Sequence, residues 1–282
     1  MAKARSQAKK PKSQRPSLPD FKKPPVVEVV CGVTFEPLAK FLVHHVGFLW
    51  AQFSQQFPEV SEQPSLPVTI ENFDGNNRID FQFSHVMPWP RAFFSQPNGG
   101  DIIQVQRERF LYNWRKRAGE EYPRFDTVYS RFLKAVDTFS QFSQQMRIGD
   151  IVPVQFELTY LNMLVQGDDW ATWEGIGRMF PGAPSLKETP RLLDEPQSVN
   201  WVTTYNLPDQ QGRLHVTLRS GTRNTDKKPA LLLDLTVRGM PKLREQAGVD
   251  AWFQLAREWI VRGFYEITSE AVQSSVWERT RP

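Results

Sequence analysis

A period-two pattern of apolar and polar residues runs through residues 24–37. Its apolar positions are Val27, Val29, Cys31, Val33 and Phe35, and more polar residues stand between most of them. Successive side chains of a strand point to opposite faces, so this alternation predicts a β-strand with one face on a core. Prolines, which cannot donate ladder hydrogen bonds, stand at both ends of the segment. We therefore expect a folded domain to open here.

A second strand pattern, in residues 151–164, restarts the same order of elements. Each of the two strands is followed by a helical pattern, then by shorter strands, then by a long amphipathic helix. The helical patterns cover residues 38–57 and about 124–147 in the first half. In the second half they cover a short stretch after Asp169 and residues from about 249 to 276. The chain is predicted to be α+β: a duplicated β-α-(β)n-α unit forming a large curved antiparallel sheet, with long helices packed on one face.

The shorter strands are separated by turn signals. They are predicted at residues 68–73, 78–84, 102–107 and 109–115 in the first unit and at 198–206, 213–220 and 230–238 in the second. Asp74-Gly75-Asn76-Asn77 indicates a hairpin turn between the first two. A Pro- and Gly-rich loop is predicted at residues 87–100. Its aromatic residues Trp89, Phe93 and Phe94 favour a packed loop that binds a partner.

The positive charge of the chain is concentrated at one end. The whole chain has 35 Lys and Arg against 31 Asp and Glu, a net charge of +4. Residues 1–23 contain eight of the basic side chains and one acidic side chain, so the remainder is mildly acidic. With no apolar periodicity, residues 1–23 are predicted to be a disordered basic tail. The tail either keeps the chain soluble, which we favour, or makes a weak contact with nucleic acid.

The predicted domains are therefore the tail and the two related units, residues 24–149 and 150–282, packed into one globular body. A single cysteine, Cys31, excludes an internal disulfide and a cysteine-based metal cluster. Its place on an apolar strand face favours a buried thiol. No apolar run is long enough to span a membrane, and the N-terminus lacks the apolar segment of a secretory signal. We expect a cytoplasmic protein that makes no membrane contact.

No motif for catalysis, metal binding or cofactor binding stands out. The sequence has no GxGxxG, P-loop, HExxH or GxSxG pattern, so we predict no catalytic residue, no metal and no cofactor. His44 and His45 lack ligand partners at helical spacing and are expected to be packed or at the surface. Asp168 and Asp169 stand where a helix N-cap is expected, which favours capping over catalysis. If the protein were an enzyme, its acid–base groups would be Glu28, Glu157, His215 and Asp234.

The sheet face opposite the helices is the best candidate for a binding surface. Polar residues alternate with the core positions on the predicted strands: Glu28, Thr34, Asp80, Gln82, Ser84, Gln104, Gln106, Asn113, Arg115, Gln155, Glu157, Thr159, His215, Thr217, Arg219, Asp234, Thr236 and Arg238. Antiparallel sheets often leave one such face in water, so an ordinary solvated face explains the pattern equally well. The candidate binding residues are Arg115, His215, Arg219, Arg238, Gln104, Gln106, Trp89 and Phe94.

Several phrases of the sequence resemble a sporadically distributed, uncharacterised prokaryotic protein family. They are Pro24-Pro25-Val26-Val27-Glu28-Val29-Val30, Ile103-Gln104-Val105-Gln106 with Asn113-Trp114-Arg115 and Tyr122-Pro123, the central Tyr160-Leu161-Asn162, and the C-terminal Ile267-Thr268 with Trp277. The resemblance covers residues 24–277 and implies no particular activity. Its patchy distribution is typical of mobile defence or toxin–antitoxin loci. Separately, the repeated element order is similar to the TATA-box-binding-protein fold, in which two halves form one curved sheet.

Three functions remain open from the sequence. A non-enzymatic binding or adaptor protein that engages a protein partner is favoured, because no catalytic constellation is present and the predicted loop is aromatic. A nucleic-acid-binding protein would use the basic tail and the sheet-face arginines, although the folded part is acidic and lacks stacking pairs of Phe or Tyr. An enzyme of unknown class is the least favoured. The sequence leaves the oligomeric state undetermined.

Overall fold

The computed structural model describes residues 17–73, 90–97, 99–182 and 196–281. Its strands are β1 (Asp20–Phe21), β2 (Val26–Phe35), β3 (Glu59–Gln63), β4 (Arg91–Ser95), β5 (Asp101–Val105), β6 (Arg109–Arg115), β7 (Pro153–Val165), β8 (Asn200–Asn206), β9 (Gly212–Thr222), β10 (Pro229–Gly239) and β11 (Arg279–Arg281). Its α-helices are α1 (Val43–Phe53), α2 (Phe125–Gln145), α3 (Trp173–Met179), α4 (Gln246–Ile267) and α5 (Glu270–Ser275). The α+β fold class is confirmed.

Nine of these strands form one antiparallel sheet, in the order β3-β4-β5-β6-β2-β7-β10-β9-β8. The first strands of the two predicted units, β2 and β7, pair with each other in its middle. In each unit the last strand lies beside the first, and the earlier strands follow outwards. The two halves are therefore arranged alike on either side of the β2–β7 pair, as a duplicated unit predicts.

The hydrophobic core lies between one face of this sheet and the long helices α2 and α4. The apolar stripe of α2 packs on the first unit, where the rings of Phe139 and Phe110 stack with centroids 5.2 Å apart. The stripe of α4 packs on the second unit, where Phe253 meets Phe156 at 5.7 Å. Cys31, on β2, is fully buried in this layer, and burial raises the pKa of its thiol. None of the described helices is long and apolar enough to cross a membrane.

The first unit differs from the prediction in its shorter elements. Helix α1 begins at Val43, not at residue 38, and Leu42 before it is 44% exposed. Strand β3 was not predicted, and β4 lies inside the stretch predicted to be a loop. Residues 68–73, predicted to be a strand, pair with no strand of the described sheet. The hairpin turn at residues 74–77 and the strand at 78–84 lie outside the described residues.

The C-terminal helix is interrupted, which the apolar periodicity does not indicate. Helix α4 ends at Ile267, and α5 starts at Glu270. The Thr268 hydroxyl donates to the carbonyl of Phe264, four residues earlier. The amide of Gln273 donates to the carbonyls of Tyr265 and Thr268. These side chains satisfy carbonyls at the end of α4 that a continuous helix would bond internally, so the break costs little.

Two further expectations are corrected. The predicted disorder of residues 1–23 is wrong for Asp20–Phe21, which form β1 and pair with β11. Phe21 is 6% exposed, and its ring contacts that of Phe264 at 5.6 Å. Helix α3 begins after Thr172, so Asp169 caps no helix. Its carboxylate instead accepts the Val165 amide and the indole N–H of Trp277.

Candidate functional site

The sheet face opposite the helices carries a connected set of polar side chains. Strand pairing brings them together, because Glu28 lies opposite Arg115 and Asn113 lies close to Gln104 on neighbouring strands. Glu28 accepts hydrogen bonds from Arg115 Nε at 3.0 Å and from Asn113 Nδ2 at 2.5 Å. Gln104 Nε2 donates to Asn113 Oδ1 at 2.7 Å, and Arg91 Nη1 donates to Gln104 Oε1 at 2.8 Å. These bonds hold the side chains in fixed positions.

The second unit continues this polar set across the β7–β10 pair. Arg238 lies opposite Glu157, and its Nε donates to Glu157 Oε2 at 2.6 Å. Burial would by itself lower the pKa of Arg238, but the Glu157 carboxylate outweighs burial and the pKa ends above its ordinary value. Burial raises the pKa of the nearby Asp234 carboxyl. The hydrogen bond from the Thr236 hydroxyl and the charge of Arg238 lower this pKa, but they offset the effect of burial only in part. The arginine is therefore already neutralised by a carboxylate of its own sheet.

Residues 64–73, which we call the strap, run across this polar face. At one end the side-chain amide of Gln106 forms two hydrogen bonds with the backbone of Leu66: Oε1 accepts its N–H at 3.0 Å, and Nε2 donates to its carbonyl at 3.2 Å. In the middle Gln155 does the same, accepting the Glu71 N–H and donating to the Thr69 carbonyl, both at 2.8 Å. Each glutamine thus offers the strap one donor and one acceptor, as a neighbouring strand would.

The other end of the strap is held by a carboxylate between two donors. Arg213 Nη1 donates to Glu71 Oε2 at 2.8 Å, and His215 Nε2 lies 2.6 Å from Glu71 Oε1. Arg213 Nη2 also donates to the carbonyl of Asn72 at 2.9 Å. Burial would raise the pKa of Glu71, but the hydrogen bonds from His215 and Arg213 outweigh it, and the pKa of this carboxyl ends below its ordinary value. The Arg213 guanidinium lies 4.3 Å from the ring centroid of Phe73.

These contacts require a nearly extended backbone. They lead from the β5–β6 connection, over β6 and β7, to β9, five strand positions away in the sheet. At a spacing of about 4.8 Å between strands this is about 24 Å. Six residue steps from Leu66 to Asn72 cover at most about 22 Å, and the side chains of Gln106 and Arg213 bridge the remaining distance. A contracted chain would therefore not reach both ends. Pro64 and Pro67 favour such an extended conformation.

The strap contributes nothing to the hydrophobic core. Its apolar side chains Val68 and Ile70 are 44% and 47% exposed, Leu66 and Phe73 are half-buried, and no strap residue belongs to the buried core cluster. By contrast, the Glu71 side chain is 7% exposed. The strap is therefore fixed by polar contacts and by one contact between a cation and an aromatic ring.

The predicted site residues separate into four groups. The structure places Gln104, Gln106, Arg115, His215 and Arg238 on the polar face, where each has a partner within the chain. Arg219 is exposed on the same face. Phe94 is fully buried against Phe53 and belongs to the core. Trp89 lies outside the described residues.

Sequence reasoning missed two arginines of this face and the segment that covers it. Arg109 and Arg213 are in phase with Asn113 and His215 on their strands, so the period of two could have found them. Arg109 is 6% exposed and donates to the Pro67 carbonyl at 3.3 Å. The contact of Glu71 with β9 joins residues more than 140 positions apart, and no local pattern indicates it.

The groups considered for acid–base chemistry are engaged with other side chains: Glu28 with Arg115, Glu157 with Arg238, His215 with Glu71, and Asp234 with Thr236. In the described ranges, no group of three or more His, Cys, Asp or Glu residues is arranged to hold a metal ion.

A second concave region, a cleft of about 750 Å³, lies on the helix side near α1, α2 and β5. Its polar centre is Asp101, which accepts hydrogen bonds from the Tyr112 hydroxyl and from Arg131 Nη1, both at 2.8 Å. Burial, and then the Asp101 carboxylate, raise the pKa of Tyr112. The three groups satisfy one another, so the polar centre of the cleft already has its partners within the chain.

Comparison with known proteins gives little beyond this description. No family model and no curated protein sequence matches the chain. Among solved structures, the chain is similar to DynU16, a protein from the dynemicin biosynthetic locus, at 13% identity and a TM-score of 0.22, over 86% of this chain and 97% of that one. It is also similar to the di-domain ARO/CYC StfQ from the steffimycin biosynthetic pathway, at 11% identity and a TM-score of 0.20, over 89% and 98% of the two chains.

Proposed function

We propose that this chain is a non-enzymatic binding protein that engages a partner protein by holding an extended segment of it on the polar sheet face. One observation carries the proposal: the face already holds an extended segment, the strap, through two glutamine side chains that bind its backbone. Backbone hydrogen bonds of this kind give affinity for an extended chain, and side-chain contacts at its ends give selectivity.

The rigidity of the face supports this function. The side chains that contact the strap stand on paired strands of a single sheet, and their neighbours are fixed by hydrogen bonds such as that of Gln104 with Asn113. A preorganised surface loses little side-chain entropy when it binds, so more of the interaction energy appears as affinity.

Nucleic-acid binding by this face has less support. A phosphate would have to compete with Glu28 for Arg115 and with Glu157 for Arg238, since both arginines are paired within the sheet. The face also contains carboxylates, which repel a polyanion. We therefore assign the partner to the protein class.

Affinity capture from the lysate of the source organism, with and without nuclease treatment, tests the proposed function. The full chain serves as bait beside two variants: Gln106→Ala/Gln155→Ala, which removes both backbone clamps, and Gln52→Ala, a matched control on the exposed face of α1. We expect the wild type and Gln52→Ala to capture the same protein, with or without nuclease treatment. The double variant should not capture it.

If the double variant captures the partner as well as the wild type does, the polar face is not the binding surface. Retention of nucleic acid alone, lost at high salt, would replace the proposal by the nucleic-acid alternative.

A further inference from the structure

We propose that the strap stands in for the ligand, and that the polar face selects an extended peptide with an acidic side chain followed, two residues later, by an aromatic ring. This inference rests on the proposed function and names the chemistry of the segment that the face takes.

The acidic position is defined by a pocket on β9 that contacts both oxygens of one carboxylate. Arg213 and His215 each donate to a different oxygen of Glu71, at 2.8 and 2.6 Å. Hydrogen bonds to ionised groups are shorter and stronger than those between neutral groups. A neutral residue at this position would leave Arg213 without its counter-charge at a site where it is only 19% exposed. The pocket therefore selects a carboxylate.

The aromatic position is defined by the same guanidinium. While Nη1 binds the carboxylate, Nη2 binds the carbonyl of Asn72, and the guanidinium carbon lies 4.3 Å from the centroid of the Phe73 ring. Arg213 thus contacts three consecutive residues of the strap: an acid, a backbone carbonyl and a ring. A guanidinium this close to an aromatic ring attracts it electrostatically.

Other positions of the bound segment are not selected. Val68 and Ile70 point largely into water, so their identity has little effect on binding. The backbone clamp of Gln106 accepts any residue except proline at the position of Leu66, where an N–H is needed. The clamp of Gln155 needs an N–H at the acidic position as well and adds no side-chain requirement of its own. The selected segment is thus about eight residues long, with its specificity at the C-terminal end.

The strap can be exchanged for such a peptide because the incoming segment offers the same backbone groups, carboxylate and ring to the glutamine clamps and to Arg213. No apolar side chain must leave the core, since none of the strap is part of it. The cost of exchange is set by competition, because a tethered segment acts at an effective concentration in the millimolar range. An external peptide of the same sequence should therefore bind the wild type weakly and bind a chain with a weakened strap more tightly.

The test uses a fluorescein-labelled synthetic peptide with the sequence of residues 64–73 and measures fluorescence anisotropy with the full chain. The wild type is compared with a full-length Glu71→Gln/Phe73→Ala variant, in which the strap has lost both selected groups. Three substituted peptides are measured beside the native sequence: Glu71→Gln, Phe73→Ala and, as a matched control, Val68→Thr. A thermal melt establishes that the variant is folded, and the single Glu71→Gln chain replaces it if it is not.

We expect the affinity of the native peptide for the variant to be at least about tenfold higher than its affinity for the wild type. On the variant, the Glu71→Gln and Phe73→Ala peptides should each have an affinity at least about tenfold lower than that of the native peptide. The Val68→Thr peptide should bind with the affinity of the native peptide. Adding Arg213→Ala to the variant should remove the preference for acid and ring.

Equal affinity for all four peptides would overturn the selected chemistry, and so would equal affinity for both chains. No binding to either chain would show that the strap is a fixed part of the fold. The capture experiment separates these failures from a failure of the proposed function, because it asks whether any partner needs the glutamine clamps, whatever its side chains are.

Discussion

Replacing Gln155 by alanine should release the middle of the strap without unfolding the protein. The substitution removes two hydrogen bonds, one from the Glu71 N–H and one to the Thr69 carbonyl, both 2.8 Å long. Once the strap lifts, water satisfies the freed backbone groups, so no buried group of the strap is left without a partner. The loss is then the net contribution of two neutral hydrogen bonds, about 1–3 kcal/mol in the free energy of strap opening.

Amide hydrogen exchange measures this opening directly. The Glu71 amide should exchange about 5- to 150-fold faster in the variant, because its protection depends on the Gln155 side chain. The amide of Leu158, in the centre of β7, reports global unfolding and should change much less. The variant Gln52→Ala, which touches nothing in the strap, should leave both amides unchanged.

One outcome would refute the reasoning. If the Glu71 and Leu158 amides accelerate by the same factor, the strap opens only when the whole sheet unfolds. The strap would then be part of the cooperative unit, and a ligand could not replace it at low cost.

Three further predictions address the core, the carboxylate and the tail. Phe253→Ala should lower the free energy of unfolding by about 3–5 kcal/mol in chemical denaturation, since this ring is fully buried between the helices and the sheet. Phe48→Ala, at a side chain 55% exposed on α1, should change it by less than about 0.5 kcal/mol. Because the folded pKa of Glu71 is lowered, its contribution is complete above the ordinary carboxyl range near pH 4.3 and is lost as pH falls below it. Strap amides of the wild type should thus lose protection on acidification, and an equal loss in Glu71→Gln would contradict this origin. Any salt-sensitive retention of the full chain on immobilised DNA should be lost when residues 1–16 are deleted, while retention that persists would place the nucleic-acid contact in the folded part.

The sheet and its long helices could be predicted because their signals are local and repeated. Alternation in β2, β6 and β7 and the apolar stripe of α2 each predict one buried face, and the structure has these faces. In β2 and β6 the opposite, polar face is largely buried as well, which the alternation does not indicate. Strand β3 carries no such signal, since all five of its residues are exposed. Strand β4 was obscured by the prolines and glycines around it, although its Ala92 and Phe94 are buried in alternation.

The polar face was predicted as a set of residues, but its occupation by the strap was not. The alternation of residues 68–73 is typical of a strand, and the segment is indeed extended. Its backbone partners are the side chains of Gln106 and Gln155, not another strand. Propensity reports an extended conformation, but it does not distinguish pairing with a strand from contact with side chains that stand on a sheet.

The position of the strap in the duplicated fold explains why the protein can tolerate its release. The strap leaves the first unit after β3 and ends on Arg213 and His215 of the second unit, so it links the two halves across the face. The halves do not depend on that link, because β2 and β7 pair from Val26 to Phe35 and the core is continuous behind them. Opening the strap would therefore expose the carboxylate pocket and both glutamine clamps while the sheet stays intact. A site covered in this way is protected from unspecific extended chains, and only a segment that matches both the pocket and the clamps competes with the tethered one.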